Sequence, residues 1–321
     1  PEDRFSIPCD EVSTEDCVYG YKVDLEPVSP QQYTSKNIQE ITYNFIKAGL
    51  GTRISPDIIF RHYSDLSKKT SLGLGVAHNS TWLGMKDYPN SIYMNNNFNV
   101  SMNNRFSGFQ LHSYINYKYD MYNMNQDPAI DTITVPNSKR NIQSLNIRLL
   151  ANNNQTSYKS LYDEFMLDYT YTGIINGVQE NHLMFNAHIE HSNSWFKKKN
   201  GIQTLSADIN AEFNAISQTL FVIAANPRLD FDGEYYNLHL GFRVDAKTNS
   251  TSMGGIYPDI KGSLYLFSRN MEFYAGLGGK TKINTLKEIL SENPFIISDM
   301  TNMGEFDYEM TKFDFQGGLK L

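Results

Sequence analysis

Between Tyr235 and Ala246 apolar and polar side chains alternate for longer than an ordinary strand lasts. Tyr236, Leu238, Leu240, Phe242, Val244 and Ala246 fall on one side, and Asn237, His239, Gly241, Arg243 and Asp245 on the other. Successive side chains of a strand point to opposite faces, so the segment has one greasy face and one that ionises. The pattern returns from Phe109 to Met121, where Phe109, Leu111, Ile115, Tyr117, Tyr119 and Met121 alternate with Gln110, His112, Tyr114, Asn116, Lys118 and Asp120. Alternating segments of roughly ten residues in series are what a wall needs when one face meets lipid and the other meets water. Soluble sandwiches and propellers alternate too, but their strands average about five or six residues. The expected fold is all-β, an antiparallel transmembrane β-barrel.

Composition is consistent with that expectation. The longest uninterrupted apolar run, Leu220 to Ala225, is too short to cross a bilayer as a helix. A barrel strand is half polar, so a mean hydropathy of -0.46 does not argue against insertion. Aromatic residues make up 13% of the chain, with 21 Tyr and 19 Phe against 2 Trp, and many lie near strand ends where an interfacial girdle sits. Strand propensity alone would also enrich them. The net charge is -7, and the one basic cluster, Lys197 to Lys199, reads as a solvated turn, so nucleic acid is not an expected partner. Outer-membrane lipid is the expected partner, together with other outer-membrane or periplasmic proteins. Cys9 and Cys17 both precede the first strand and are a candidate disulfide in an oxidising periplasm, with two free thiols as the alternative.

Residues 1–38 carry acidic side chains and Pro8, Pro27 and Pro30 with no sustained period, and read as an extended periplasmic arm. Residues 39–321 read as the barrel. About fourteen strands are expected, at 39–51, 55–64, 70–79, 94–104, 107–121, 140–151, 159–173, 181–191, 202–213, 216–225, 233–246, 255–268, 271–282 and 306–321. The connections 66–69, 106 and 269–270 are short and follow even strands, whereas 80–94, 122–139 and 283–305 are long and follow odd ones. Outer-membrane barrels have short periplasmic turns and longer outer loops, which places the N-terminus in the periplasm. The brief connections at 52–54 and 214–215 depart from this alternation. In the last long connection Thr285-Leu286-Lys287-Glu288 is a capping-box pattern before Ile289 and Leu290, and Asn293-Pro294 ends the run. One or two helical turns are expected there, with Leu286, Ile289 and Leu290 against the barrel rim and a partner-binding helix as the alternative.

No cofactor or metal set is expected. Gly73-Leu74-Gly75 lies inside an alternating strand, where glycine marks a bend or a close backbone approach. Of the 7 His, His182 and His188 share a polar face with Glu190, and with Asp168 and Glu164 of the preceding strand they form a candidate lumenal acidic site. Ser113 and His112 point to opposite faces, which rules them out as nucleophile and base, and no enzyme is expected. The residues expected to face the lumen are Lys118, Asp120, Asp168, His188, Glu190, Arg243, Asp245, Asp259, Lys261 and Glu272, beside Lys280, Asp208 and Glu212. Mixed signs suit a solvated or protein-filled lumen better than a charge-selective pore. Arg243 or Asp245 is expected to pair with Lys261 or Asp259 across the ladder. Leu238, Leu240, Phe242 and Val244 are expected to face lipid.

Ile46-Lys47-Ala48-Gly49-Leu50-Gly51, Ile256-Tyr257-Pro258-Asp259-Ile260-Lys261 and Tyr274-Ala275-Gly276-Leu277-Gly278-Gly279, followed by Asn284 and Glu292-Asn293-Pro294-Phe295, resemble segments of Bacteroidetes outer-membrane barrels of the TonB-dependent-receptor-like kind. The resemblance runs from about Tyr33 onward through most of the chain and implies a transport barrel in the bacterial outer membrane. The alternative is a non-transporting interaction subunit of a larger outer-membrane assembly. Such barrels are larger than this chain, which implies that Leu321 is not the natural end. Such receptors also carry a plug domain, which residues 1–38 are too short to form. Asp131-Thr132-Ile133 resembles the O-glycan acceptor pattern of exported proteins of the same group, making Thr132 a candidate attachment site. The loop order generates a direct prediction: a tag inserted beside Thr132 is accessible on intact cells, while one beside Arg269 is protected until the outer membrane is breached. Reversed labelling would invert the topology.

Overall fold

The computed structural model describes residues 42–84, 92–123, 139–153, 161–193, 202–216, 218–248, 254–267, 270–294 and 308–320. Residues 1–40 and 41–321 form separate units, and the account below concerns the second. The arm over 1–38 with Cys9 and Cys17, the lysines at 197–199 and Thr132 lie outside the described residues.

The period-two segments become strands β1 (Thr42–Gly51), β2 (Ser55–Ser67), β3 (Thr70–Thr81), β4 (Tyr93–Arg105), β5 (Phe109–Asn123), β6 (Lys139–Asn153) and β7 (Leu161–Ile174). They continue as β8 (Gln179–Asn193), β9 (Ile202–Ala215), β10 (Thr219–Asp232), β11 (Tyr236–Lys247), β12 (Gly254–Leu266), β13 (Met271–Ile283) and β14 (Tyr308–Lys320), with helix α1 (Leu286–Glu292) between the last two. All fourteen strands join one antiparallel sheet in sequence order, β1 to β14. The residues of β1 with described side chains, and nearly all of β14, are exposed, so the two end strands present uncovered edges. The three longest connections, 82–92, 124–138 and 284–307, all leave odd strands. The alternation is otherwise weaker than expected, because 175–178 is also brief and 154–160 and 194–201 are not.

One face of the sheet is shielded and the other open. On β11 the even positions Leu240, Phe242 and Val244 are 40%, 50% and 39% exposed, whereas the odd position Asp245 is 2% exposed. The register carries this division across the strands. On β5 Ser113 lies on the open face, opposite to His112, and on β3 a Cβ on Gly75 would stand 2.6 Å from the Asn99 side-chain amide, so that glycine makes room for a neighbouring side chain rather than for close backbone.

Two prolines shape the far end. β10 was expected to end at Ala225, before Asn226-Pro227, yet it continues to Asp232. The Gly233 amide donates to Tyr236, so amides of odd-numbered β10 residues face β11, and Pro227 lacks one on that side only. The β9 ladder therefore runs on unbroken, while the β11 ladder skips from Ala225↔Val244 to Arg228↔Gly241. On β12 the Tyr265 amide donates to Tyr235, so even-numbered amides face β13, and Pro258 removes one from that edge. The β12–β13 ladder runs from Leu266↔Met271 only as far as Ile260↔Leu277.

Beyond that rung β13 moves over the shielded face. The Thr281 amide donates to Asp245 Oδ2 at 2.8 Å, and the Thr281 and Tyr257 hydroxyls lie 2.9 Å apart. A Cβ on Gly279 would meet the Lys312 carbonyl at 2.6 Å and the Tyr257 ring at 2.9 Å, so only glycine fits that crossing. Ile283 is fully buried with Leu220 and Val222. This cover explains the apolar run at Leu220 to Ala225: β13 packs on Leu220 and Val222, while Ile223 on the open face is 43% exposed, so both faces of the strand are apolar.

The chain then reaches β6 and β7 through α1. Thr285 caps the helix by accepting from the Glu288 amide, as the capping-box pattern predicts. Leu286 and Leu290 bury against Ile142 and Ile174, with Ile289 partly buried beside them. The Glu180 carboxylate, fully buried, accepts from the Leu286 amide at 2.8 Å, the Lys287 amide at 3.4 Å and Asn214 Nδ2 at 2.7 Å. Arg140 Nη1 donates to the Pro294 carbonyl at 2.9 Å. The segment 278–294 is thus a strap across the shielded face. Leu286→Ala should loosen its seat by about 2–5 kcal/mol. Limited proteolysis at 284–294 should accelerate while heat-modifiable migration of the barrel stays unchanged.

Candidate functional site

The shielded face carries a continuous belt of charge from β8 to β12. His188 stands opposite Asp208 in the register, and Nδ1 approaches its carboxylate at 2.6 Å while Nε2 lies 3.4 Å from Glu190. Arg228 joins the same Asp208 through Nη1 and reaches Asp230 through Nε at 3.8 Å. Asp230 stands opposite His239, whose Nδ1 lies 2.5 Å from it and whose Nε2 lies 3.1 Å from Asp259. Asp259 also accepts from Asn226 Nδ2 at 2.9 Å and meets Lys261 at 3.4 Å.

The span from Asn226 on β10 to Asp259 on β12 crosses Gly241 on β11. A Cβ there would stand 2.9 Å from Arg228 Cβ and 3.3 Å from the Asp259 carbonyl, so the missing side chain lets the belt close.

A second polar region lies under α1. A cavity of 670 Å³ is lined by Tyr114, Asn116, Lys118, Asp120, Arg148 and Lys287 among others. Lys118 pairs with Asp120 at 2.8 Å and Arg148 with Asp168 at 2.6 Å. Asp168 also accepts from Asn146 and Thr170, and both it and Asp120 are 5% exposed. Charges this shielded persist because each has an opposite charge or a donor.

The register puts the ten polar residues singled out above on the shielded side, and Leu238, Leu240, Phe242 and Val244 on the other. Four pairings differ from expectation. His182 bonds Glu212 at 2.8 Å and His188 bonds Asp208, both across to β9, whereas Asp168 is held by β6 and Glu164 accepts from Tyr162. The expected acidic site with Asp168 and Glu164 is therefore divided between separate contacts. Arg243 pairs within its own strand with Asp245 at 2.6 Å, and Lys261 does so with Asp259. Residues two apart share a face, and Gly241 leaves Asp259 with no side chain directly opposite it on β11. His239, not Arg243, makes the β11–β12 link. Arg228 and Asp230 were missed because Asn226-Pro227 reads as the end of a strand; the polar alternation of Asn226, Arg228 and Asp230 was the available signal. Among the described residues no group of three or more His, Cys, Asp or Glu side chains is arranged to hold a metal ion.

No family model matches the chain and no curated protein matches it by sequence. Among solved structures it is similar to the siderophore receptor PirA from Pseudomonas aeruginosa, with TM-score 0.50, 11% identity and coverage of 76% of this chain and 43% of that one. It is similar to a mutant of the ferric enterobactin receptor PfeA from Pseudomonas aeruginosa, with TM-score 0.50, 10% identity and coverage of 77% and 44%. The copper transporter OprC matches at TM-score 0.50 and 13% identity over 87% of this chain and 50% of that one. The chain thus spans half or less of each of these proteins. The sheet order, strand lengths and these likenesses define an antiparallel transmembrane β-barrel fold of the outer-membrane kind.

The belt supplies a stability prediction. Asp208→Ala leaves His188 and Arg228 without their shared acceptor and should cost about 1.5–3 kcal/mol. Asp57→Ala, on the exposed Lys47 pair, should leave the urea midpoint of the bilayer-inserted protein unchanged.

Proposed function

We propose that this chain forms the wall of a transport-related outer-membrane barrel, similar to TonB-dependent receptors, with its open apolar face toward lipid and its charged face toward the lumen. The observation that carries the reading is the asymmetry of the two faces. Ile46, Ile115, Phe165, Ile209, Ile223, Leu240 and Phe242 stand exposed on one, while the other is tied from β8 to β12 by carboxylates that bridge arginine and imidazole side chains. Uncovered apolar surface of that extent belongs in hydrocarbon. Open sheet edges do not occur there, so the edges of β1 and β14 are paired in the membrane, with each other or with further strands.

The strap favours selective passage over a permanently open pore. It fixes α1 across the lumenal face of β6 to β8, and the mixed charges of the belt offer no single-sign ring. The same occlusion supports the alternative, a non-transporting subunit of a larger outer-membrane assembly.

The membrane reading is tested by Leu240→Arg, which should cost about 2–4 kcal/mol if the site is near the midplane, against Asn237→Arg on the other face, which should cost much less. Heat-modifiable folding reads both. Equal tolerance removes the barrel assignment. Transport and assembly roles separate in planar bilayers, where the intact protein should show little steady conductance. A Glu180→Ala, Leu290→Ala variant with a released strap should then conduct, and a silent variant favours the assembly role.

A further inference from the structure

We infer that a cavity on the shielded face, between β12, β13 and β14, is a binding site for a small zwitterion of the α-amino acid class. The inference takes this face as lumenal, so it rests on the reading above and gives the solute a chemical class. The cavity measures 310 Å³, the lower end of the range for small-molecule sites, about 300–1,000 Å³. A missing side chain makes the room. Gly278 lines the cavity opposite Asp314, and a Cβ placed on it would meet nothing within 4 Å.

Five charged side chains line this space, and three of them are already engaged. Arg243 donates through Nε to Asp245 at 2.6 Å, and Lys261 lies 3.4 Å from Asp259. Lys280 and Asp314 are the other two, and neither has an ion-pair partner among the described residues. The ladder holds them apart. Asp314 stands opposite Gly278 and Lys280 opposite Thr311, with the register shifting in between, so the two charges are diagonal neighbours. Such neighbours are about 7–8 Å apart. An α-amino acid carries both charges on one carbon. With its carboxylate at Lys280 and its ammonium at Asp314, it bridges that separation through two charge-assisted hydrogen bonds. Arg243 offers the carboxylate further donors, since Nη1 and Nη2 have no partner among the described residues. Charge balance selects the class. Arg243, Lys261 and Lys280 are matched by Asp245, Asp259 and Asp314, so a simple anion or cation answers only one of the two open charges, and a zwitterion answers both.

The test uses the full chain in lipid nanodiscs, with binding read by saturation-transfer NMR. L-Leucine is the probe, set against isocaproate, which lacks its ammonium, and isoamylamine, which lacks its carboxylate. L-Leucine should bind, and both analogues about tenfold more weakly. Asp314→Asn should weaken L-leucine about tenfold without weakening isocaproate, and Lys280→Gln should weaken it about tenfold without weakening isoamylamine. Gly278→Val, which places a side chain in the open space, should abolish binding while heat-modifiable migration is unchanged. Lys47→Gln, on the exposed pair between β1 and β2, should leave binding as it is. An analogue that binds as tightly as L-leucine, indifference to both charge variants, or no binding of L-leucine, L-serine or L-glutamine overturns the site. The released-strap variant separates this result from the transport reading. If that variant is silent while L-leucine binds the intact protein, the site stands and transport falls; if it conducts and L-leucine does not bind, the reverse holds.

Discussion

Backbone hydrogen bonding governs this molecule. In a wall facing hydrocarbon every amide and carbonyl needs a partner within the protein, and an antiparallel meander supplies one on each side of every interior strand. Its side chains are then committed to two faces with opposite requirements. The apolar face needs only bulk, while the polar face needs charge neutralised strand by strand. The belt from His188 to Lys261 meets that need by placing carboxylates between cationic and imidazole side chains on neighbouring strands.

The departures from the ladder are as informative as the ladder. Pro227 and Pro258 each remove one amide, yet their consequences differ. Pro227 sits between strands that resume pairing on its far side, so β10 merely skips rungs with β11. Pro258 lies beside glycines that permit β13 to leave, and the ladder ends there. The departing segment is retained by Asp245, by the apolar contact of Ile283 with Leu220 and Val222, and by Glu180 at the start of α1. A fully buried carboxylate held by amide donors is a costly arrangement that persists because all three donors converge on it.

Much of the fold was legible because a period of two is written directly in side-chain chemistry. Fourteen strands and the division of Lys118, Asp120, Arg243 and Asp259 from Leu240 and Phe242 follow from that period, and the helix after Thr285 follows from its capping-box pattern. Loop lengths were a poorer guide, since the connections at 175–178 and 154–160 blur the expected alternation. Pairings were poorer still. Which carboxylate meets His188 depends on register with both neighbours, and Glu164 and Asp208 both stand opposite it. Periodicity along one strand cannot choose between them.

The sequence by itself determined the strand pattern and its faces, because alternation depends only on local backbone geometry. It also determined the helix cap at Thr285, which needs four consecutive residues and no distant partner. Only the tertiary structure decided which side of each proline lost its amide, and hence that β10 continues while β13 departs. It alone decided that Glu180 on β8 receives amides of a helix that follows β13, and that Gly241 opens the gap bridged by Asn226 and Asp259. These outcomes depend on strand register and on contacts between residues far apart in the chain, and neither is contained in a local repeat.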